Sequence, residues 1–174
     1  MKRVVIMKPK TTVAKICYTA LFAALTCVAT IIIRIPSPLG GYINFGDCIL
    51  LVGAWILGPV GGFAAGAAGS ALADLFSGYA AYAPATFIIK GLMALAAAFA
   101  AKLIPVRFSR IIGAVIAEII MVGGYYLFES FVLGYGAGAS LVNIPYNAVQ
   151  GVLGVIGGVL LFTAVAKVFR RENM

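Results

Sequence analysis

Residues 44–76 read NFGDCILLVGAWILGPVGGFAAGAAGSALADLF. Between Asp47 and Asp74 there is no charged side chain, and the run exceeds the roughly 20 apolar residues that one helical crossing of a bilayer needs. Gly58 and Pro59 interrupt it: proline has no amide proton to give a helix, and the residue before it is pushed out of the α region. The stretch therefore predicts a hairpin of two membrane helices, a short one over 44–57 and one of ordinary length over 60–76, joined by a tight turn.

Working outward, the chain keeps this character. Apolar runs over about 13–33, 85–103, 111–133 and 144–168 are each long enough to span, and they are separated by RIPSPLGG, by DLFSGYAAYAP, by the basic loop after Pro105 and by GYGAGASLVN, read as a flexible loop. Of the 174 residues, 63% are hydrophobic and 10% charged, with a mean hydropathy of +1.10, far from the balance of a soluble domain. The expectation is an all-α membrane protein: a six-transmembrane-helix bundle forming a single integral membrane domain over residues 1–174. The basic start and first apolar run resemble a signal peptide, but the run is long enough to span and further helices follow, so it is read as a retained first helix.

The net charge of +8 has a membrane explanation. Lys2, Arg3, Lys8, Lys10 and Lys15 precede the first span, Lys102, Arg107 and Arg110 lie between the fourth and fifth, and Lys167, Arg170 and Arg171 close the chain. With six crossings all of these fall on one side, as the positive-inside rule requires, and both termini are then cytoplasmic. Nucleic-acid binding does not account for that clustering. Cys17, Cys27 and Cys48 lie in apolar runs without metal-ligand spacing, there is no histidine, and no phosphate-binding glycine loop ending in Lys and Ser/Thr is present. No metal site, catalytic residue or cofactor is expected, and any ATP hydrolysis must come from another chain.

Small residues at four-residue spacing allow helix backbones to approach in lipid: Ala20 and Ala24 (with Ala23 beside them), Gly62 and Gly66, Gly154 and Gly158. Internal packing explains such pairs in general; for Ala20 and Ala24 docking to a partner protein competes with it. Asp47, Asp74, Glu118, Glu129 and Lys90 lie in or beside spans, where a charge at mid-bilayer costs at least ~3 kcal/mol. Capping or interfacial solvation would account for Asp47 and Asp74, and outward snorkelling for Lys90. Asn143, Asn147 and Gln150 share one helical face, and Tyr79, Tyr82, Tyr125 and Tyr146 can stack on a ring. Glu118 apart, these groups point together to a pocket for a heteroaromatic molecule between the outer halves of the fourth, fifth and sixth spans, under the first and third outer loops. Interhelical hydrogen bonding is the simpler alternative for the amides.

Along nearly its whole length the chain resembles the S component of an energy-coupling factor (ECF) vitamin transporter. The resemblance rests on the basic N-terminus leading into ALFAALTCVAT, on INFGD after a Gly/Pro loop, on GPVGGFAAGAAGSALADL and on YAPATFIIKG. It implies a substrate-binding subunit in a bacterial cytoplasmic membrane that docks onto a coupling transmembrane subunit with two ABC-type ATPases, and that holds the vitamin as cargo. Ala20 and Ala24 match the family's docking motif. Family ligand sites draw on regions that here contain Lys90, Glu129, Asn143, Asn147 and Gln150, and Asp47, Tyr82 and Tyr125 complete the expected set. INFGD and YAPATFIIKG look more like the branch associated with pyridoxine or hydroxymethylpyrimidine; riboflavin is the second expectation. An autonomous secondary transporter should show interrupted helices at matching positions of two halves, and an enzyme a nucleophile and base; neither pattern is found.

Overall fold

The computed structural model describes residues 11–105 and 108–172. The cations Lys2, Arg3, Lys8, Lys10 and Arg107 lie outside the described residues. Helix α1 (Thr12–Ile32) leads to a two-stranded ribbon of β1 (Ile35–Pro36) and β2 (Tyr42–Ile43), followed by α2 (Gly46–Phe76), α3 (Ala83–Leu103), α4 (Ser109–Leu127), a π turn (Phe128–Val132), the short α5 (Ala137–Ser140), a 3-10 turn (Leu141–Asn143) and α6 (Ile144–Glu172). Five helical segments are long and apolar enough to cross a membrane.

Helix α2 is not straight. Gly58 has φ +77° and ψ −172°, backbone that only glycine adopts readily, and Pro59 follows. The helix doubles back there. A Cβ placed on Gly62 would lie 2.7 Å from Ala54 Cα, and one on Gly66 2.9 Å from Leu50 Cγ. A straight helix would hold Leu50 and Gly66 about 24 Å apart at 1.5 Å rise per residue, so the arms 46–57 and 59–76 lie side by side as the hairpin expected from sequence. The first arm is only ~18 Å long, well short of the ~30 Å hydrocarbon core.

Glycine sets the spacing elsewhere too. A Cβ on Gly69 would come within 2.4 Å of the Ala23 carbonyl oxygen, which brings α1 onto α2 backbone to backbone. The pairs Gly62/Gly66 and Gly154/Gly158 are buried inside the bundle, the latter against Asp47, Glu118 and Leu51, so both are internal contacts. Helix α2 packs on α1 and α3, and α6 on α2 and α4, around a core of Leu50, Leu51, Ala54, Met93, Ala97 and Met121.

Two loops are more ordered than the sequence suggested. Ser37 N–H donates to the Gly41 carbonyl (2.8 Å), closing the ribbon where only a Gly/Pro loop was expected. The stretch expected to be a flexible loop forms α5 and the 3-10 turn, because Ser140 donates from both its amide (3.1 Å) and its hydroxyl (3.0 Å) to the Gly136 carbonyl and is itself fully buried.

Candidate functional site

At one end of the bundle the charges join rather than reaching for water. Lys90, two turns into α3, is 2% exposed and forms an ion pair with Asp47 in the first turn of α2. Snorkelling and interfacial solvation are thus both replaced by pairing: two buried opposite charges lower each other's cost where either alone would be prohibitive. The second Asp47 oxygen accepts from Gln150 Nε2 (2.6 Å) on α6. Gln150 Oε1 accepts from the Asn44 amide (3.0 Å) and from Asn44 Nδ2 (3.2 Å), and Asn44 Oδ1 takes the Gly46 N–H (2.9 Å) at the start of α2. One chain of hydrogen bonds ties α3, α2, α6 and the ribbon together.

A second network roofs the site. Asn143 Nδ2 donates to Glu129 Oε1 (2.8 Å), and Asn143 Oδ1 accepts from the Leu39 amide (3.4 Å). The Tyr82 hydroxyl lies 3.1 Å from the Leu39 carbonyl and 3.4 Å from Glu129 Oε1, so its single proton serves one of them at a time. Glu129 sits in the π turn, whose extra residue per turn rotates the side chain inward from the end of α4; such turns recur at functional sites. Its other oxygen, Oε2, is buried with no hydrogen-bond partner among the described residues.

Between the networks lies a small cavity lined by residues from every long helix: Thr30, Ser70, Asp74, Thr86 and Lys90, Tyr125 and Glu129, and Asn147 and Gln150, with Gly41, Tyr42 and Asn44 from the ribbon and Tyr82 at the start of α3. It leaves about 30 Å³ for the centres of water-sized molecules, within about 450 Å³ of empty space counting crevices and mouth. The Tyr42 hydroxyl donates to Asp74, Thr86 Oγ1 lies 3.0 Å from the Tyr125 hydroxyl, and the Lys90 ammonium stands 5.8 Å from the Tyr125 ring centroid. Burial, then the Asp74 charge, push the Tyr42 phenol far above its ordinary pKa; burial and Glu129 do the same for Tyr82. Both stay neutral hydrogen-bond donors through the physiological range.

The residues expected from sequence are brought together. Lys90, Glu129, Asn147, Gln150, Tyr82 and Tyr125 line the cavity, and Asp47 and Asn143 stand one hydrogen bond behind it. Two aromatic expectations are not met: Tyr146 is exposed, and Tyr79 stacks on Tyr42 (centroids 4.7 Å apart) without lining the cavity. The expected location was also too narrow, since α1 and α2 contribute Thr30, Ser70 and Asp74. Thr30, Gly41, Tyr42, Asn44, Ser70 and Thr86 were missed. The INFGD resemblance pointed to the Asn44 neighbourhood; the threonines and Ser70 look like ordinary small residues of membrane helices.

These features define a class: an all-helical membrane protein with a roofed polar and aromatic cavity at one end. The family model for the ECF-type riboflavin transporter S component matches residues 10–167, and the chain belongs to that family, whose members are substrate-binding transporter subunits rather than enzymes. A solved structure from work on the structure and mechanism of the S component of a bacterial ECF transporter superposes with a TM-score of 0.76, covering 90% of this chain and 98% of that one at 26% identity. A Pyrococcus woesei protein, described as an uncharacterized protein in the gap 3' region, is 41% identical over 134 residues, which is 75% of this chain and 87% of that one.

Proposed function

We propose that the chain captures a small hydroxylated nitrogen-ring vitamin or precursor, of the pyridoxine or hydroxymethylpyrimidine kind, from outside the cell. It then delivers this cargo by docking on an ECF coupling subunit that carries two ABC-type ATPases. The reading is supported above all by the cavity's small volume combined with its wall. About 30 Å³ is room for one or two waters, so any ligand must part the side chains, and a single ring parts them least. Asn147 and Gln150 supply amides, Glu129 Oε2 an unfilled acceptor for a hydroxyl, Lys90 a cation and Tyr82 and Tyr125 stacking faces. Riboflavin is the second reading, favoured by the description of the matching family.

The orientation belongs to the same reading. Taking the hairpin arms of α2 as two crossings gives six, which places Lys15, Lys102, Arg110 and Lys167 on the cytoplasmic side with both termini and opens the cavity outward. The first arm, too short to cross alone, leaves the Asp47 end beneath a roof formed by the ribbon. Titration calorimetry of the detergent-solubilised protein against pyridoxine, hydroxymethylpyrimidine and riboflavin tests the substrate. Tight binding of riboflavin alone overturns the single-ring reading, and binding of none overturns the class of ligand. Labelling of a cysteine introduced at Glu172 from outside intact cells would overturn the six-crossing topology.

A further inference from the structure

The opposite end of the bundle holds a cation with no counter-charge among the described residues. Arg110, in the first turn of α4, is half-buried with its guanidinium 4.3 Å from the centroid of the Phe162 ring on α6. Phe162 in turn meets Trp55 edge-on, with centroids 5.4 Å apart. Arg110 makes no ion pair with a described residue, and its Nε is buried without a hydrogen-bond partner, as is Trp55 Nε1. A hollow of about 250 Å³ opens beside them, walled by Ile111, Val159 and Ala166. Thr163 also borders it, but its hydroxyl donates to the Val159 carbonyl (2.7 Å) and has no proton to spare. The hollow thus combines a forked cation that has no acceptor among the described residues with an aliphatic wall.

We propose that this hollow binds the phosphate of an anionic membrane phospholipid, with Arg110 holding the phosphate oxygens and one acyl chain lying against Val159 and Ala166. A guanidinium presents parallel donors that match a phosphate in two-pronged fashion, and its strength grows where water is scarce. Lys167, one helical turn beyond Thr163 and exposed, adds positive potential at the mouth. Charge complementarity selects an anionic over a zwitterionic headgroup, and the apolar wall selects a lipid over free phosphate. The proposal rests on the orientation above, which sets this end in the inner leaflet, where basic pockets between membrane helices meet anionic lipids.

Native mass spectrometry of the delipidated protein, supplied with phosphatidylglycerol or phosphatidylcholine micelles, tests it. One phosphatidylglycerol is expected to persist on the wild type at collision energies that strip phosphatidylcholine. Arg110→Gln should weaken its retention about tenfold or more, the loss expected for a charge-assisted hydrogen bond, and Arg110→Lys less. Lys15→Gln, on α1 away from the hollow, should change nothing. Equal retention of the two lipids, or of phosphatidylglycerol by wild type and Arg110→Gln, overturns the site. Displacement by millimolar inorganic phosphate makes it a free-phosphate site and overturns the lipid assignment. Unchanged lipid retention in Arg110→Gln with lost assembly on a coupling module would make it a partner surface and likewise overturn it. If Arg110→Gln does not fold, the Arg110→Lys variant and the headgroup comparison on wild type still decide. Vitamin titration on the same samples separates this proposal from the function: retained phosphatidylglycerol without vitamin binding leaves the site standing, and the reverse leaves only the function.

Discussion

Helices α1 and α3 are both 21 residues long and almost equally apolar, yet 56% of the most apolar stretch of α3 is buried against 17% of that of α1. Hydropathy does not sort them, because lipid is as good a solvent for Leu or Ile as a protein core. Polarity and size do. The buried positions of α1 are Thr26, Cys27 and Thr30, and α3 turns Thr86, Lys90, Gly91 and Ala94 inward, while Leu21, Leu25 and Val28 or Phe87, Ile88 and Leu92 face outward. Helix α3 is central because it carries the charge that must be paired. Helix α1 is peripheral, and two of its small residues, Ala20 and Ala24, break the pattern by being exposed.

The strongest way to break this contrast is to unpair α3. Lys90→Met leaves Asp47 buried beside Glu118 with Gln150 as its one side-chain hydrogen-bond donor among the described residues, and removing one member of a buried ion pair typically costs ~3–5 kcal/mol. A large drop in melting temperature, followed by size-exclusion fluorescence, is expected. Lys90→Met combined with Asp47→Leu should recover much of the stability, since two apolar residues replace the pair, but not vitamin binding. Recovery of binding as well would show that the ion pair serves the fold alone.

On α1 the equivalent test is the face that does pack. Gly69→Leu drives a side chain into the Ala23 carbonyl, and overpacking of this kind costs ~1–3 kcal/mol. The melting temperature should fall without any change in the composition of the cavity wall. An unaltered melt would mean that α1 detaches from α2 at little cost.

The cavity wall separates structural from binding amides. Gln150 holds Asp47 and Asn44, so Gln150→Ala should lower both stability and affinity, the latter about 5- to 150-fold for a lost buried partner. Asn147 lines the cavity but makes no hydrogen bond with a described residue. Asn147→Ala should therefore reduce affinity by a similar factor while moving stability by no more than ~0.5 kcal/mol, as for a side chain with no structural partner. Titration and melting of the two variants side by side check the split, and equal stability losses would place Asn147 in the structural network instead.

How far the sequence foretold this follows from the same physics. The spans were legible because bilayer thickness imposes a length on apolar runs, and the turn at Gly58 because proline and glycine act locally. Lys90 and Gln150 were legible because a polar group in lipid demands a reason. Glu129 was expected at the site, but the π turn that aims it is not, since one extra residue per turn leaves the apolar pattern nearly unchanged. Thr30, Ser70 and Thr86 were invisible because a hydroxyl that lines a cavity has the same composition as one that only bonds its own helix, as Thr163 does, and Thr30 does both, donating to the Thr26 carbonyl (2.8 Å). The ribbon roof depends on contacts a hundred residues apart, Leu39 with Asn143, which no local pattern encodes.

The smallest expected effect on the isolated protein is also the sharpest test of α1. Ala20 and Ala24 lie one turn apart and are exposed, whereas α1 meets α2 through Thr19, Phe22, the Ala23 backbone, Thr26 and Thr30. A tryptophan at either position therefore projects into lipid in the isolated chain and disturbs no neighbour. Substitutions of that kind usually stay within about 0.5 kcal/mol. Ala20→Trp and Ala24→Trp should keep the wild-type melting temperature and vitamin affinity. If this face receives the coupling subunit, though, close approach of two backbones is what small residues permit, and an indole between them removes it. Energised uptake by cells expressing the whole transporter should then be lost while the purified subunit remains intact. Loss of vitamin binding in the purified variants would show that the pair packs internally and take the docking face away from α1; normal uptake in both variants would leave Ala20 and Ala24 as ordinary lipid-facing residues, and α1 would be peripheral for no functional reason.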